Sequence, residues 1–258
     1  MGKIIYDGLV AAGTTEAAQA VAVLDELNIS CAASVATPLG AQMLDGTRAH
    51  IFQGRLNQDG FEKLLGTYGF RFVIDATHPF AVEVSKNLKA ACENKAVPYV
   101  RYVRRSEVYD YENIIRVPDA MSAAGELLKL KGNILLTTGA NSANIYKEAL
   151  SDFNERVYIR VLDTAFSRER CDALGIKKSH VIAQNPPFSL EANKALIERL
   201  HIAAIVTKDS GVSGGVEEKI KSAEAFQIPV VLIQRPEDER GVEDPEDLKK
   251  WLRAQLKI

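Results

Sequence analysis

Asp75, Thr77 and His78 crowd together in the stretch "VIDATHPFAVEVSKN", Val73 to Asn87. An acid, a hydroxyl and an imidazole side by side can hold or move a proton. An imidazole titrates near neutrality, so on chemistry alone His78 is the favoured donor. A second cluster is "TKDSGVSGG", residues 207–215, where Lys208, Asp209 and Ser210 run into Gly211, Gly214 and Gly215. Glycines at that density cost backbone entropy and serve positive φ or the close approach of a ligand. Two more glycine turns are "AGTTEA", with Gly13, Thr14 and Thr15, and "TTGAN", with Thr138 and Gly139. Each reads either as an ordinary turn into a helix, capped by threonine, or as a cradle whose free N–H groups face a phosphate. Neither carries GxGxxG. Arg101, Arg104 and Arg105 form a basic run suited to carboxylates or phosphates.

These residues need elements to place them. Short apolar or β-branched runs alternate with helical periodicity along the chain, which predicts parallel βα units with helices on both sheet faces. "IIYDGLVAA" leads into a helix over 15–27, with Ala17, Ala20, Val21, Leu24 and Leu27 on one face. "FRFVIDA" leads into a second, with Phe80, Val84, Leu88 and Ala91 at helical spacing and Pro79 in its first turn. At Lys131-Gly132-Asn133 the pattern starts again. The reading is therefore two Rossmann-like lobes, residues 1–130 and 131–258, each a mainly parallel sheet, with a ligand cleft between them. Asp244 as N-cap and Pro245 at the first turn open a terminal helix. In such sheets ligands bind at the carboxyl ends of the strands, and every cluster above falls there.

Composition narrows the classes. The chain has 258 residues, 47% apolar and 26% charged, with a net charge of −2 and no basic block. That is globular and gives no bulk attraction for nucleic acid or an anionic membrane. No apolar stretch approaches the roughly 20 residues that span a bilayer. Cysteines at 31, 92 and 171 lack CxxC spacing, which speaks against disulfides and zinc and for a reducing, cytoplasmic setting. HExxH, GxxxxGK[ST] and any Cys/His metal set are missing, so no metal site is expected.

Taken in order, "AGTTEA", "GRL" at 54–56, "DATHPFA" at 75–81, "PYVRYVR" at 98–104, "TTG", "NPPFSLEAN" at 185–193, "KDSG" and "PVVLIQRP" resemble the precorrin-6A reductases of corrin (vitamin B12) biosynthesis. "DATHPFA" followed by "KDSG" is the most specific part. Ala12 departs from the family's usual Gly-Gly-Thr turn. The resemblance implies hydride transfer from NADPH or NADH to one double bond of a tetrapyrrole, precorrin-6A or its cobalt form, giving precorrin-6B. "TPLG…GRL" looks more like the cobalt-early, anaerobic members, which tend toward NADH. "CAASVAT", by contrast, ends without the acid that would hold a ribose 2′-hydroxyl. On this reading Gly13, Thr14, Thr15, Thr138, Gly139, Ser210 and Gly211 contact the cofactor. Thr77, Arg101, Arg104 and Arg160 meet the substrate and its acetate and propionate arms. The proton comes from His78, Asp75 or Lys208, or from water, and the product passes to neighbouring pathway enzymes. A non-catalytic tetrapyrrole carrier, another nicotinamide-dependent reductase of an anionic substrate, and a pyrrole methyltransferase share parts of the pattern. Dinucleotide binding separates the reductases from the carrier, and affinity for S-adenosylmethionine would favour the methyltransferase.

Overall fold

The computed structural model describes residues 6–103, 107–211, 214–236 and 241–258. Contacts divide the chain into two compact units, Met1–Arg105 with Pro236–Ile258, and Ser106–Arg235.

The first unit is built on strands β1 (Gly8–Ala11), β2 (Cys31–Val35), β3 (His50–Gln53), β4 (Phe72–Asp75) and β5 (Tyr99–Arg101). They form one parallel sheet in the order β3-β2-β1-β4-β5. Its helices are α1 (Thr15–Glu26), α2 (Pro38–Gln42), α3 (Gln58–Tyr68) and α4 (Val82–Lys95). Side chains alternate across a strand, so neighbours enter opposite cores. Val10, Phe72 and Ile74 pack with Leu24 of α1, whereas Leu9, Ala11 and Val73 pack with Phe61 and Leu65 of α3 and Leu88 of α4. Both faces are covered, which explains why β1, β2 and β4 are buried along their whole length.

Gly8 leaves room for the ring of its register partner on β4: a Cβ there would lie 2.2 Å from the buried Phe72 ring. Gly8→Ala should therefore cost about 1–3 kcal/mol through overpacking. A lower urea midpoint at unchanged m would show it, and an unchanged midpoint would mean the ring yields freely.

The second unit contains β6 (Ile114–Val117), α5 (Ala120–Leu127), β7 (Asn133–Leu136), α6 (Ala143–Ala149), α7 (Phe153–Arg156), β8 (Val157–Val161) and α8 (Ala165–Ala173). It continues through β9 (Val181–Ala183), α9 (Leu190–Arg199), β10 (Ile202–Lys208), α10 (Val216–Ala225) and β11 (Val230–Ile233). The sheet is again parallel, ordered β6-β11-β10-β7-β8-β9. Leu135, Ile205, Val230 and Leu232 pack with Ile197 of α9 and with Val216 and Ile220 of α10.

Two parallel sheets with helices confirm the doubly wound α/β class, but the division at residue 131 needs correcting. β6 precedes 131 yet pairs with β11 at the far edge of the second sheet. α11 (Pro245–Leu256) returns to the first unit, where Leu248 and Leu252 join the α1 core. Val242 bridges Tyr102 on the way back. The expected N-cap holds, with Asp247 N–H donating to the Asp244 carboxylate at 2.9 Å.

Candidate functional site

In the first unit the chain leaves β1 for β2 on one side and later returns to β4 on the other. That reversal opens a crevice at the carboxyl ends of β1 and β4, where doubly wound sheets bind ligands. Thr14 fastens its rim. Its hydroxyl donates to the Ala76 carbonyl at 2.7 Å and accepts from Ala17 N–H, capping α1. Gly13 is exposed at φ +135, with nothing within 4 Å of where a Cβ would stand. Thr15 is exposed beside it.

Asp75 and Val73 share a strand face, so Asp75 points toward α4 rather than into the crevice. Register pairs it with Arg101. The guanidinium Nη1 lies 2.7 Å from Asp75 Oδ1, and Asp75 has no exposed surface. Oδ1 also accepts from Thr77 N–H and Oγ1, and Oδ2 accepts from the Tyr99 hydroxyl at 2.8 Å. Arg101 Nη1 further donates to Thr77 Oγ1 and Ser85 Oγ. Burial, and next the Asp75 charge, push the Tyr99 hydroxyl well above its ordinary range, so it stays a donor.

This network corrects several expected roles. Asp75 is sealed in an ion pair and is no surface proton donor. Arg101, 8% exposed, grips the β4–α4 loop instead of presenting itself to a substrate arm. The Thr77 hydroxyl is likewise spent on the network. Arg104 lies outside the described residues. α4 starts at Val82 with Ala81 as N-cap, so Pro79 and Phe80 sit in the preceding turn and not in the helix.

What the loop presents is His78. It is exposed, and its Nδ1 accepts from Phe80 N–H at 3.2 Å. An accepting Nδ1 leaves the proton of the neutral ring on Nε2.

In the second unit the reversal falls between β7 and β10, which brings "TTG" and "KDSG" to one edge. Thr138 is buried and accepts from Ser142 Oγ at 3.0 Å, while Gly139 stands at φ +80 with open space before it. Ser210 is buried and its N–H turns back to the Lys208 carbonyl; Gly211 follows at φ +70. Lys208 ends β10 half-buried, and burial lowers its ammonium pKa.

Arg160 lies near the carboxyl end of β8, on the same face as Tyr158 and therefore toward α9 and α10. It is 4% exposed, donates through Nη1 to Asn193 Oδ1 at 2.6 Å, and stacks 4.1 Å from the Phe188 ring. Burial pulls it down to about 10. Lys219, in the first turn of α10, is buried too and donates to the Gly214 carbonyl at 2.6 Å.

Tyr99, Ser85, Asn193 and Lys219 were not among the residues expected at the site. The signal for the last two was present. Asn193 stands with Leu196 and Ile197 on the buried face of α9, and Lys219 with Val216 and Ile220 on that of α10. A polar residue inside an apolar stripe marks a buried polar contact.

Residues 9–253 match the family model for Precorrin-6x reductase CbiJ/CobK. The chain belongs to this family. A relative named cobalt-precorrin-6A reductase, from Priestia megaterium, is 32% identical over 234 residues, 90% of this chain and 92% of its own. A relative of the same name from Salmonella typhimurium is 32% identical over 232 residues, covering 89% and 88%. The solved structure "CobK precorrin-6A reductase" superposes with a TM-score of 0.77 at 22% identity, over 97% of this chain and 98% of that one. That likeness places the family's fold on both units. A nicotinamide cofactor goes with such a reductase, and the turns fit one: a Cβ at Gly13 or Gly139 would fill the space in front of the backbone where a phosphate would rest. Among the described residues no group of His, Cys, Asp and Glu could hold a metal ion, and no helix is long and apolar enough to cross a membrane.

Proposed function

We propose that this chain reduces one double bond of the precorrin-6A macrocycle, in its cobalt-bearing form, to the 6B level. The observation that carries the reading is the family match across residues 9–253, which takes in both glycine turns and the "DATHPF" loop. A reduced nicotinamide nucleotide supplies the hydride when bound. The protein's share is positioning and the proton. The order β3-β2-β1-β4-β5 follows that of dinucleotide-binding sheets, so the turn at Gly13, Thr14 and Thr15 is assigned to the pyrophosphate. "TTG" and "KDSG", at one edge of the second unit's own sheet, are assigned further ligand contacts there.

β2 runs out into Val35, Ala36 and Thr37, and Thr37 only caps α2. With no carboxylate there to accept from a ribose 2′-hydroxyl, the strand end supports NADPH over NADH. Titrating the protein with each and following nicotinamide fluorescence should give about a tenfold lower Kd for NADPH. A lower Kd for NADH would reverse the assignment, and binding of neither, even with a corrin intermediate present, would favour the carrier.

The proton is assigned to His78 Nε2, because the Phe80 N–H holds Nδ1 as an acceptor and the ring is exposed. His78→Gln should lower kcat about 100-fold, within the usual range for losing a general acid, and remove the solvent isotope effect. An undiminished isotope effect in the variant would hand the step to Lys208 or water.

A further inference from the structure

We infer that Arg160, Asn193 and Lys219 form a second ligand site, an oxyanion pocket beneath Phe188. The starting point is an imbalance. Arg160 Nη2 and Asn193 Nδ2 are both buried with no hydrogen-bond partner. Arg160 is 4% exposed, Asn193 1% and Lys219 5%. An orphaned donor at such depth costs free energy comparable to its desolvation, and a native chain retains one where something else fills the place. Three side chains from three elements converge here, from the carboxyl end of β8 and from the first turns of α9 and α10.

The charges agree in sign. Burial first, then the Arg160 charge, pull Lys219 down to about 7, which also places the two cations near each other. Glu218 works in the opposite direction on Lys219, yet no carboxylate makes an ion pair with Arg160 or Lys219 among the described residues. A buried guanidinium without a counter-ion destabilises the unliganded state, and an entering anion would relieve it and favour the charged form of Lys219 beside it. Arg160 retains a planar edge for such a group, and the guanidinium fork suits carboxylate and phosphate alike.

Phe188 is the cover. Its ring lies over the guanidinium, and residues 185–187 leading to it are exposed. The occupant is an oxyanion, a carboxylate arm of the macrocycle or a phosphate of the nucleotide. This identification rests on the reading under Proposed function, whereas the pocket itself does not.

Asn193→Asp tests the pocket by building the anion in: Asn193 Oδ1 already accepts from Arg160, and the second oxygen would replace the orphaned amide. In anion-free buffer Asn193→Asp should melt above the wild-type chain. Inorganic phosphate or acetate should raise the wild-type Tm saturably and leave the variant unmoved. Arg160→Met should also lose the anion response and melt no lower than wild type. An Asn193→Asp chain that melts lower, or a wild-type chain with no anion response while turnover is intact, overturns the pocket and leaves the reductase reading standing. Kinetics then identify the source. A KM raised tenfold or more for the macrocycle alone in Arg160→Met assigns the carboxylate arm, and for the nucleotide alone the phosphate. Unchanged KM for both would overturn the ligand assignment.

Discussion

Arg101→Met is expected to destabilise the chain by about 3–5 kcal/mol, because it leaves the Asp75 carboxylate buried with no cation beside it. Asp75 has no exposed surface and Arg101 is the residue across from it in register. Methionine keeps most of the side-chain length, so the loss reports the charge more than a cavity. The damage should spread to chemistry, since Arg101 also holds Thr77 and Ser85, the two hydroxyls that tie the His78 loop to α4. The chain with both Asp75→Asn and Arg101→Met should recover much of the stability but little of the turnover. Urea unfolding of the two single variants and the double variant closes the cycle. An Arg101→Met chain with the wild-type midpoint would show that the pair contributes nothing, and the network would lose its claim to position the site.

Gly13→Val is expected to weaken nucleotide binding about 100-fold, roughly 2.7 kcal/mol. Two causes act together. A φ of +135 is reserved for glycine, so a β-branched residue strains the turn by about 1–3 kcal/mol. The new side chain also enters the empty space where the backbone would meet a phosphate. Gly139→Val in the second unit is the paired comparison, at φ +80 with the same open front. Fluorescence titration with NADPH separates the two turns. Should Gly139→Val lose the nucleotide and Gly13→Val keep it, the pyrophosphate belongs to the second unit.

Much of the fold was legible. α1 and α11 were readable because a cap and an apolar stripe agree, Thr14 for one and Asp244 with Pro245 for the other. α8 escaped because Ser167 and Cys171 are its buried residues, and a serine one turn before a cysteine makes no visible stripe. β3 escaped for a related reason: at the sheet edge it is half exposed, without the continuous apolar run of β1 or β4. The helix after β4 was placed too early, since Phe80 follows the helical spacing of Val84 and Leu88 while actually closing a turn against His78.

The site divides in the same way. By itself the sequence determined the parallel α/β class and the loops that carry chemistry, because glycine turns, caps and apolar periodicity are local properties. Motifs such as "DATHPFA" and "KDSG" in order carried the family resemblance. Only the tertiary structure decided what each polar side chain does. Asp75 and Arg101 are 26 residues apart in the chain and become partners through the register of β4 against β5. Arg160, Asn193 and Lys219 meet because α9 and α10 both cover one face of β8. Strand pairing sent β6, and packing against α1 sent α11, across the apparent division of the chain. Partners of this kind are set by long-range pairing and burial, which leave no local mark beyond a polar residue standing in an apolar stripe.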